Sequence, residues 1–142
     1  MKILQRVLDA KGSEVFSIGP GASVFDALEE MAKRDVGALI VMEDGQVVGI
    51  FSERDYARKI ILAGKSSHET PVRDIMTDRV IYARPDLTLE QCLALMTDKR
   101  IRHLPVMRGG DLIGVVSIGD LVKGIIDDQR FLISQLESYV SG

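Results

Sequence analysis

Two serine-aspartate pairs at the same spacing are the residues of this chain best suited to bind a ligand. The sequences GIFSERD at residues 49–55 and GVVSIGD at residues 114–120 both read Gly-x-x-Ser-x-x-Asp after an apolar run. An ionised aspartate can accept two charge-assisted hydrogen bonds from neighbouring hydroxyl groups, such as those of a sugar. A helix that begins at the serine offers free amides to an anion. The pairs therefore suit a ligand that carries a diol and a phosphate.

The same pairs also have a purely structural explanation. A serine followed three residues later by an acid is the pattern of a helix capping box, in which each side chain bonds the other residue's backbone amide. Gly49 and Gly114 fit strands in which a neighbouring backbone approaches closely. Spacing alone leaves both explanations open, because a ligand-free protein can use the cap and turn the same groups to a ligand later.

The sequence contains no pattern that indicates catalysis. His68, His103 and Cys92 lack the spacing of metal ligands, and there is no dinucleotide-binding glycine motif, phosphate-binding loop or zinc-protease motif. Ser52 and Ser117 have no base or orienting acid that the sequence reveals. We therefore expect a protein that is not an enzyme, without a catalytic cofactor or a metal.

The elements that position these pairs occur twice. An offset of 65 residues aligns residues 6–62 with 71–127 without a gap and matches both glycines, both serines and both aspartates. Each copy reads β-α-β-β-α, with a helix start at Ser23 or Thr88 and a hairpin before the serine-aspartate pair. The predicted strands cover residues 14–18, 38–42 and 47–51 in the first copy and 80–83, 103–107 and 112–116 in the second.

The doubled unit, the two Gly-x-x-Ser-x-x-Asp segments, PVRDIMT at residues 71–77 and RHLPV at residues 102–106 resemble a pair of CBS domains, the module named after cystathionine β-synthase. The resemblance implies an α+β fold of two tandem β-α-β-β-α repeats packed about a pseudo-twofold axis, with a C-terminal helical extension. The predicted divisions are repeat 1 at 7–62, a linker at 63–70, repeat 2 at 71–127 and a helical tail at 128–142.

The resemblance also implies a function, that of a regulatory module that senses an adenosine ligand and signals by conformational change. AMP is the first expected ligand, and ADP, ATP, NAD and S-adenosylmethionine are the alternatives. Carried over by position, one implied ligand cleft between the repeats contains Ser17, Ile18, Gly37, Ala38, Leu39, Ser117, Gly119 and Asp120. The other contains Ile81, Tyr82, His103, Leu104, Pro105, Ser52, Arg54 and Asp55.

Basic side chains near these positions are candidates to meet a phosphate. Arg102 and His103 precede or begin a predicted strand, and we expect them to contact the phosphate, as Arg54 and Arg100 could also do. Arg58 and Lys59 lie further along a helix, and we expect them on its solvated face.

Composition narrows the partners. The chain has 142 residues, a net charge of −3 and no long apolar run. These properties predict a globular protein without affinity for nucleic acid or a membrane. The charged N-terminal sequence predicts no export signal, and a single cysteine suits a reducing cytoplasm. We expect a homodimer with an unidentified protein partner. The alternative function is a protein-interaction module with vestigial clefts, acting through its dimer face and the C-terminal helix. That helix carries an apolar stripe of Ile125, Leu132, Leu136 and Tyr139, which suits packing or recognition of a partner.

Overall fold

The computed structural model describes residues 2–141, which form two compact units. We call residues 15–80 the central unit, and residues 2–14 together with 81–141 the terminal unit. The packing units are therefore offset from the sequence copies 7–62 and 71–127. The N-terminal segment packs with the second copy, and residues 71–80 pack with the first.

The described chain contains five α-helices and five strands. In order they are α1 (Leu4–Lys11), β1 (Ser17–Ile18), α2 (Val24–Arg34), β2 (Ala38–Glu43), β3 (Gln46–Ser52), α3 (Glu53–Tyr56), α4 (Leu89–Lys99), β4 (His103–Arg108), β5 (Asp111–Ser117) and α5 (Ile118–Ser141). A π-helical turn, Ala57–Ile61, follows α3, and a 3₁₀ turn, Val72–Asp74, precedes the return to the terminal unit.

Both predicted hairpins are present and share one geometry. Strands β2 and β3 pair antiparallel, as do β4 and β5, and β1 adds a parallel strand beside β2. The first turn places Asp44 at φ 51° and Gly45 at φ 74°, and the second places Gly109 at 56° and Gly110 at 86°. Two consecutive positive φ values give the turn whose twist matches that of paired strands.

The predicted strand at residues 80–83 is wrong. Only a parallel bridge between Ala83 and Val106 forms there, so the terminal unit has a two-stranded sheet. In the central unit the amide of Ile40 donates to the carbonyl of Phe16 over 3.1 Å and extends the pairing of β1. The repeat places Pro105 at the position of Ile40, and proline has no amide hydrogen to donate.

The helix starts follow their predicted caps. The Ser23 hydroxyl accepts a hydrogen bond from the amide of Asp26, so α2 is capped by its serine side chain. Thr88 and Gln91 form a complete capping box, with bonds of 2.9 and 3.1 Å, at the start of α4. Because these contacts are local, three-residue patterns predicted them correctly.

The gapless alignment loses its register at the N-terminus. The amide of Leu4 donates to the carbonyl of Leu87, and the amide of Val72 donates to the carbonyl of Ala22, which is the corresponding acceptor in the central unit. Leu4 and Val72 are thus structural equivalents at an offset of 68 residues, whereas the sequence alignment paired Val7 with Val72. The shift accommodates helix α1 where the central unit has only a short 3₁₀ turn.

The predicted helical tail is confirmed over the described residues, since α5 continues without a break to residue 141. Ile125 packs against the core of the terminal unit, but all residues from 129 to 140 are exposed. Leu136 is 66% exposed and Tyr139 is 87% exposed. The outer part of the predicted stripe therefore stays exposed in the described chain.

The two repeated glycines lie where another segment approaches the hairpin. A β-carbon at Gly49 would lie 2.7 Å from the sulfur of Met76 and 2.9 Å from the carbonyl oxygen of Thr77. At Gly114 it would lie 2.6 Å from a methyl group of Leu8. The predicted approach of a neighbouring backbone is therefore confirmed at Gly49, whereas at Gly114 the neighbour is the side chain of Leu8.

We expect Gly49→Ala to lower the free energy of unfolding by about 1–3 kcal/mol, because the new methyl group overlaps a backbone oxygen that cannot rotate away. Gly114→Ala should cost less, since a leucine side chain can shift. Urea unfolding measures both, with Gly19→Ala as the control because a β-carbon at Gly19 would have no atom within 4 Å. Equal stability of Gly49→Ala and Gly19→Ala would contradict the assignment.

Candidate functional site

The serine-aspartate pair of the central unit forms a complete capping box at the start of α3. The Ser52 hydroxyl accepts a hydrogen bond from the amide of Asp55 over 3.2 Å. Oxygen Oδ2 of Asp55 accepts hydrogen bonds from the amide of Ser52, at 3.0 Å, and from its hydroxyl, at 3.1 Å. The structural explanation of this motif is therefore correct for the protein in the described state.

The remaining oxygen of Asp55 is bonded by residues from outside the motif. Thr77 donates its hydroxyl to Oδ1 over 3.2 Å, and the Lys59 ammonium lies 3.1 Å from the same oxygen. Lys59 also donates to the carbonyl of Ile75. Lys59 is exposed, as expected of a solvated helix face, but one turn of helix also brings its ammonium back to Asp55. Asp55 is only 8% exposed, and both of its oxygens are bonded.

The pair of the terminal unit makes the same local bonds. Oxygen Oδ2 of Asp120 accepts the amide hydrogen of Ser117 at 2.8 Å, and the Ser117 hydroxyl accepts from the amide of Asp120 at 3.1 Å. The Lys11 ammonium lies 2.5 Å from the same Oδ2 and also donates to the carbonyl of Val115. Both the Ser117 amide and Lys11 thus bond Oδ2, and the Asp120 side chain is 26% exposed.

Charge and burial shift two pKa values at this end of the terminal unit. Burial opposes ionisation of Asp120, but hydrogen bonds from Lys11 and from the Ser117 amide outweigh it, so the pKa of Asp120 lies below its ordinary value. Burial lowers the pKa of His103, and the positive charges of Lys11 and Arg102 lower it further. The negative charge of Asp120 acts in the opposite direction but does not reverse the shift. At neutral pH the site thus holds an ionised carboxylate and a neutral imidazole.

In each unit the first residue of the first hairpin strand lies beside the serine of the serine-aspartate pair. Ala38 pairs with Ser52 across the first hairpin, and His103 pairs with Ser117 across the second. The carbonyl of Arg102 also accepts the first amide of α5, from Ile118, over 2.9 Å. Residues that are distant in sequence therefore meet at one end of each hairpin.

The predicted site residues differ in exposure. Ser17, Arg54, Tyr82, Arg102 and Gly119 are exposed, whereas Ile18, Gly37, Ala38, Ser52, Ile81, His103, Ser117 and Asp120 are partly buried. The buried ones are Leu39, Asp55, Leu104 and Pro105. The side chains of Leu39 and Leu104 belong to the hydrophobic cores of their own units, so a ligand could reach these two residues mainly through backbone groups.

Sequence reasoning missed Lys11 and Thr77. Both reach an aspartate from segments that the repeat alignment assigns to the other copy, so no local pattern marks them. In the gapless alignment Lys11 stands opposite Met76 and Thr77 opposite Gly12, and neither pair shares any chemistry. Only the packing of each segment against its unit reveals these contacts.

Residues 2–141 offer neither a metal cluster nor a membrane span. No group of three or more histidine, cysteine, aspartate or glutamate side chains among them could hold a metal ion. No helix in this range has both the length and the apolar character required to cross a membrane.

Two units built on one plan, each ending a hairpin in a serine-aspartate cap, define a protein made of a duplicated α+β module. The CBS domain model matches residues 9–62 and 72–127. The chain therefore belongs to the CBS-domain family, a family of general regulatory modules, as the sequence resemblance indicated.

Individual relatives agree with this assignment. The mitochondrial CBS domain-containing protein CBSX3 of Arabidopsis thaliana is 42% identical over 125 residues, which cover 84% of this chain and 61% of the relative. The chain thus spans less than two thirds of that protein. A CBS-domain protein from Burkholderia ambifaria is 44% identical with a TM-score of 0.87, covering 90% and 96% of the two chains. A hexameric CBS-CP12 protein from bloom-forming cyanobacteria is 27% identical with a TM-score of 0.77, covering 86% and 70%.

The lowered pKa of Asp120 predicts a pH-dependent contribution to stability. A carboxylate with a lowered folded pKa stabilises the fold above its ordinary value of 3.8, and that contribution disappears as the pH falls through the folded pKa. We expect Asp120→Asn to be less stable than the wild type at pH 7, with the difference shrinking in acid. Thermal unfolding across pH measures this, with the exposed Asp127→Asn as control. A difference that is constant with pH would contradict the prediction.

Proposed function

We propose that this protein is a regulatory module that binds an adenine nucleotide and is not an enzyme. AMP is the first candidate, and ADP, ATP, NAD and S-adenosylmethionine are the alternatives. The observation that carries the proposal is the state of Asp120, which is ionised, partly exposed and bonded at Oδ2 by the Ser117 amide and Lys11. That carboxylate can accept a sugar hydroxyl without first giving up its helix cap.

The groups around Asp120 supply the remaining chemistry that a nucleotide needs. Ser117 stands at the start of α5, where backbone amides and the helix dipole favour negative charge. Arg102 is exposed beside it and can bond a phosphate with two parallel donors. His103 is neutral at pH 7 and serves as a hydrogen-bonding group, so the positive charge at this end comes from Arg102 and Lys11.

The two repeats differ in what they offer a ligand. Asp55 is buried, and Ser52, Thr77 and Lys59 already bond its two oxygens. To reach a ligand, Asp55 would have to lose several of these bonds, and leaving buried partners unsatisfied is costly. We therefore propose Asp120 as the principal ligand carboxylate, and we assign Asp55 mainly to holding α3 on its hairpin.

Signalling requires more than binding. A nucleotide can shift the protein between two shapes only by its difference in affinity for them. Helix α5 links ligand binding to signalling, because it begins at Ile118, directly after Ser117, and continues without a break to residue 141. A change in the first turn of α5 can therefore alter the direction of its exposed end. The expected location is the cytoplasm, where the buried Cys92 thiol stays reduced.

A second candidate function is self-association through α5, with a second copy of this chain as the occupant. The apolar residues Leu132, Leu136 and Tyr139 repeat at spacings of four and three, the pattern by which helices pair with one another. The exposed part of α5 has 12 residues, from 129 to 140, or about 18 Å of helix. Such a short helix is marginal alone in water, which favours a packed partner.

The cyanobacterial relative supports this second candidate because it is described as a hexamer. Further apolar residues, Ile133 and Val140, lie beside the main stripe and are also exposed. A stripe of this width suits contact with more than one neighbouring helix. A homodimer is the smallest assembly that would cover it, and nucleotide binding at the start of α5 could then control how copies assemble.

For the nucleotide, we expect AMP to raise the melting temperature and to release or absorb heat in calorimetry. Asp120→Asn should weaken AMP binding roughly tenfold or more, because one or two charge-assisted hydrogen bonds are lost. Asp127→Asn removes the same charge from an exposed site on α5 and should bind like the wild type. If none of the five candidate ligands gives heat or a thermal shift with the wild type, the proposal fails.

For α5, we expect Leu136→Asp to raise the dissociation constant for self-association at least roughly tenfold by placing a charge within an apolar contact. Ser134→Asp adds the same charge on the opposite side of the helix and should leave assembly unchanged. Light scattering over a range of concentrations gives the mass of each variant. A wild-type chain that remains monomeric at the highest concentration would refute self-association.

A further inference from the structure

A lysine from the N-terminal helix already bonds the carboxylate that a ligand would need. Lys11 is the last residue of α1, and its ammonium bonds both Oδ2 of Asp120 and the carbonyl of Val115. These partners lie 109 and 104 residues away in sequence, so the contact depends on α1 packing within the terminal unit. The ammonium thus bonds one of the two Asp120 oxygens to which a sugar diol would donate.

We propose that Lys11 is the specificity-determining residue of the Asp120 site. It competes with a neutral nucleoside for the carboxylate and transfers to the phosphate of a charged nucleotide. This inference rests on the proposed function and names its ligand class, nucleoside phosphates in preference to nucleosides. Lys11 acts as a switchable ion-pair partner whose second partner is supplied by the ligand.

Competition follows from how the carboxylate is shared. A diol that bonds both oxygens of Asp120 must displace Lys11 from Oδ2, because the Ser117 amide already bonds that oxygen. A neutral nucleoside offers the displaced ammonium no anion in return. The Lys11 and Asp120 side chains are 37% and 26% exposed, so water compensates for part of the lost ion pair. The remaining cost of breaking the ion pair selectively weakens the binding of neutral nucleosides.

A phosphate changes this balance. It is joined to the same ribose whose hydroxyls meet Asp120, which brings it within the range that a flexible lysine side chain can sweep. Lys11 then exchanges the Asp120 carboxylate for the phosphate, and the Val115 carbonyl remains within its reach. The same movement frees Oδ2 for the second hydroxyl. Phosphate binding and diol binding therefore assist each other.

The central unit shows why Lys11 differs from an ordinary structural lysine. Lys59 makes a similar pair of contacts, to Asp55 and to the carbonyl of Ile75. Asp55, however, is buried and also bonded by Thr77, so Lys59 completes a closed network. Lys11 pairs with a carboxylate that is 26% exposed and therefore accessible to a ligand. Only the Lys11 contact can open without leaving a buried charge unpaired.

Calorimetry with AMP and adenosine tests the proposal on three proteins, the wild type, Lys11→Gln and Lys123→Gln. We expect the wild type to prefer AMP. In Lys11→Gln adenosine should bind more tightly and AMP more weakly, so the preference for AMP falls roughly tenfold or more. Lys123 is exposed on α5, and its replacement removes the same charge without touching Asp120. The preference of Lys123→Gln should equal that of the wild type.

A ligand-independent measurement accompanies the calorimetry. Carbon-detected NMR titration should show a higher pKa for Asp120 in Lys11→Gln than in the wild type, because the ammonium helps to keep this carboxyl ionised. The variant should fold, since α1 is anchored by the buried Leu4, Val7 and Leu8. An unchanged Asp120 pKa would overturn the proposal, because the contact would then be absent in solution.

The outcomes separate the inference from the proposed function. If the wild type binds AMP and Lys11→Gln keeps the same preference over adenosine, the role of Lys11 is overturned and nucleotide binding stands. Equal losses of AMP and adenosine affinity in Lys11→Gln would likewise assign Lys11 a structural role and overturn the inference. If none of the three proteins binds AMP or adenosine, the role of Lys11 is overturned, whereas nucleotide binding is refuted only if ADP, ATP, NAD and S-adenosylmethionine also fail to bind the wild type. Tight adenosine binding gained only in Lys11→Gln would support the competition directly.

Discussion

The interaction on which both units depend is the helix cap, and under the proposed function one capping carboxylate must also bind a ligand. In both units the aspartate bonds the amide of its own serine, which fixes the first turn of the helix after the hairpin. A carboxylate has two oxygens, and the cap uses one. Whether the second oxygen is available to a ligand depends on the residues that tertiary packing brings next to it. The motif itself does not determine those residues.

Duplication has produced two copies of the cap with different neighbours. In the central unit Thr77 and Lys59 complete the bonding of Asp55, and burial makes the network a part of the core. In the terminal unit a single lysine, Lys11, reaches Asp120 and leaves it partly exposed. Under the proposed function, Asp55 therefore serves the fold, while Asp120 keeps a partly exposed carboxylate for the ligand. A duplicated module can divide these two demands, which conflict within a single site.

The features that the sequence predicted correctly are local. The hairpins, their glycine turns and the helix caps at Ser23 and Thr88 each depend on a few adjacent residues, and the structure confirms them. The predicted strand at 80–83 failed because its neighbour Pro105 cannot donate, an effect that acts across the sheet. Lys11 was missed because its contact with Asp120 requires a segment to pack on the other copy, which periodicity cannot reveal.

The central claim is that the carboxylate of the terminal unit binds the ligand, while that of the central unit serves the fold. A crystal structure of the protein grown with AMP tests it most directly. The account predicts ribose hydroxyls within hydrogen-bond distance of Asp120, with Asp55 still bonded by Ser52 and Thr77. A complex in which the ribose meets Asp55, or in which Asp120 remains bonded only by Ser117 and Lys11, would contradict it.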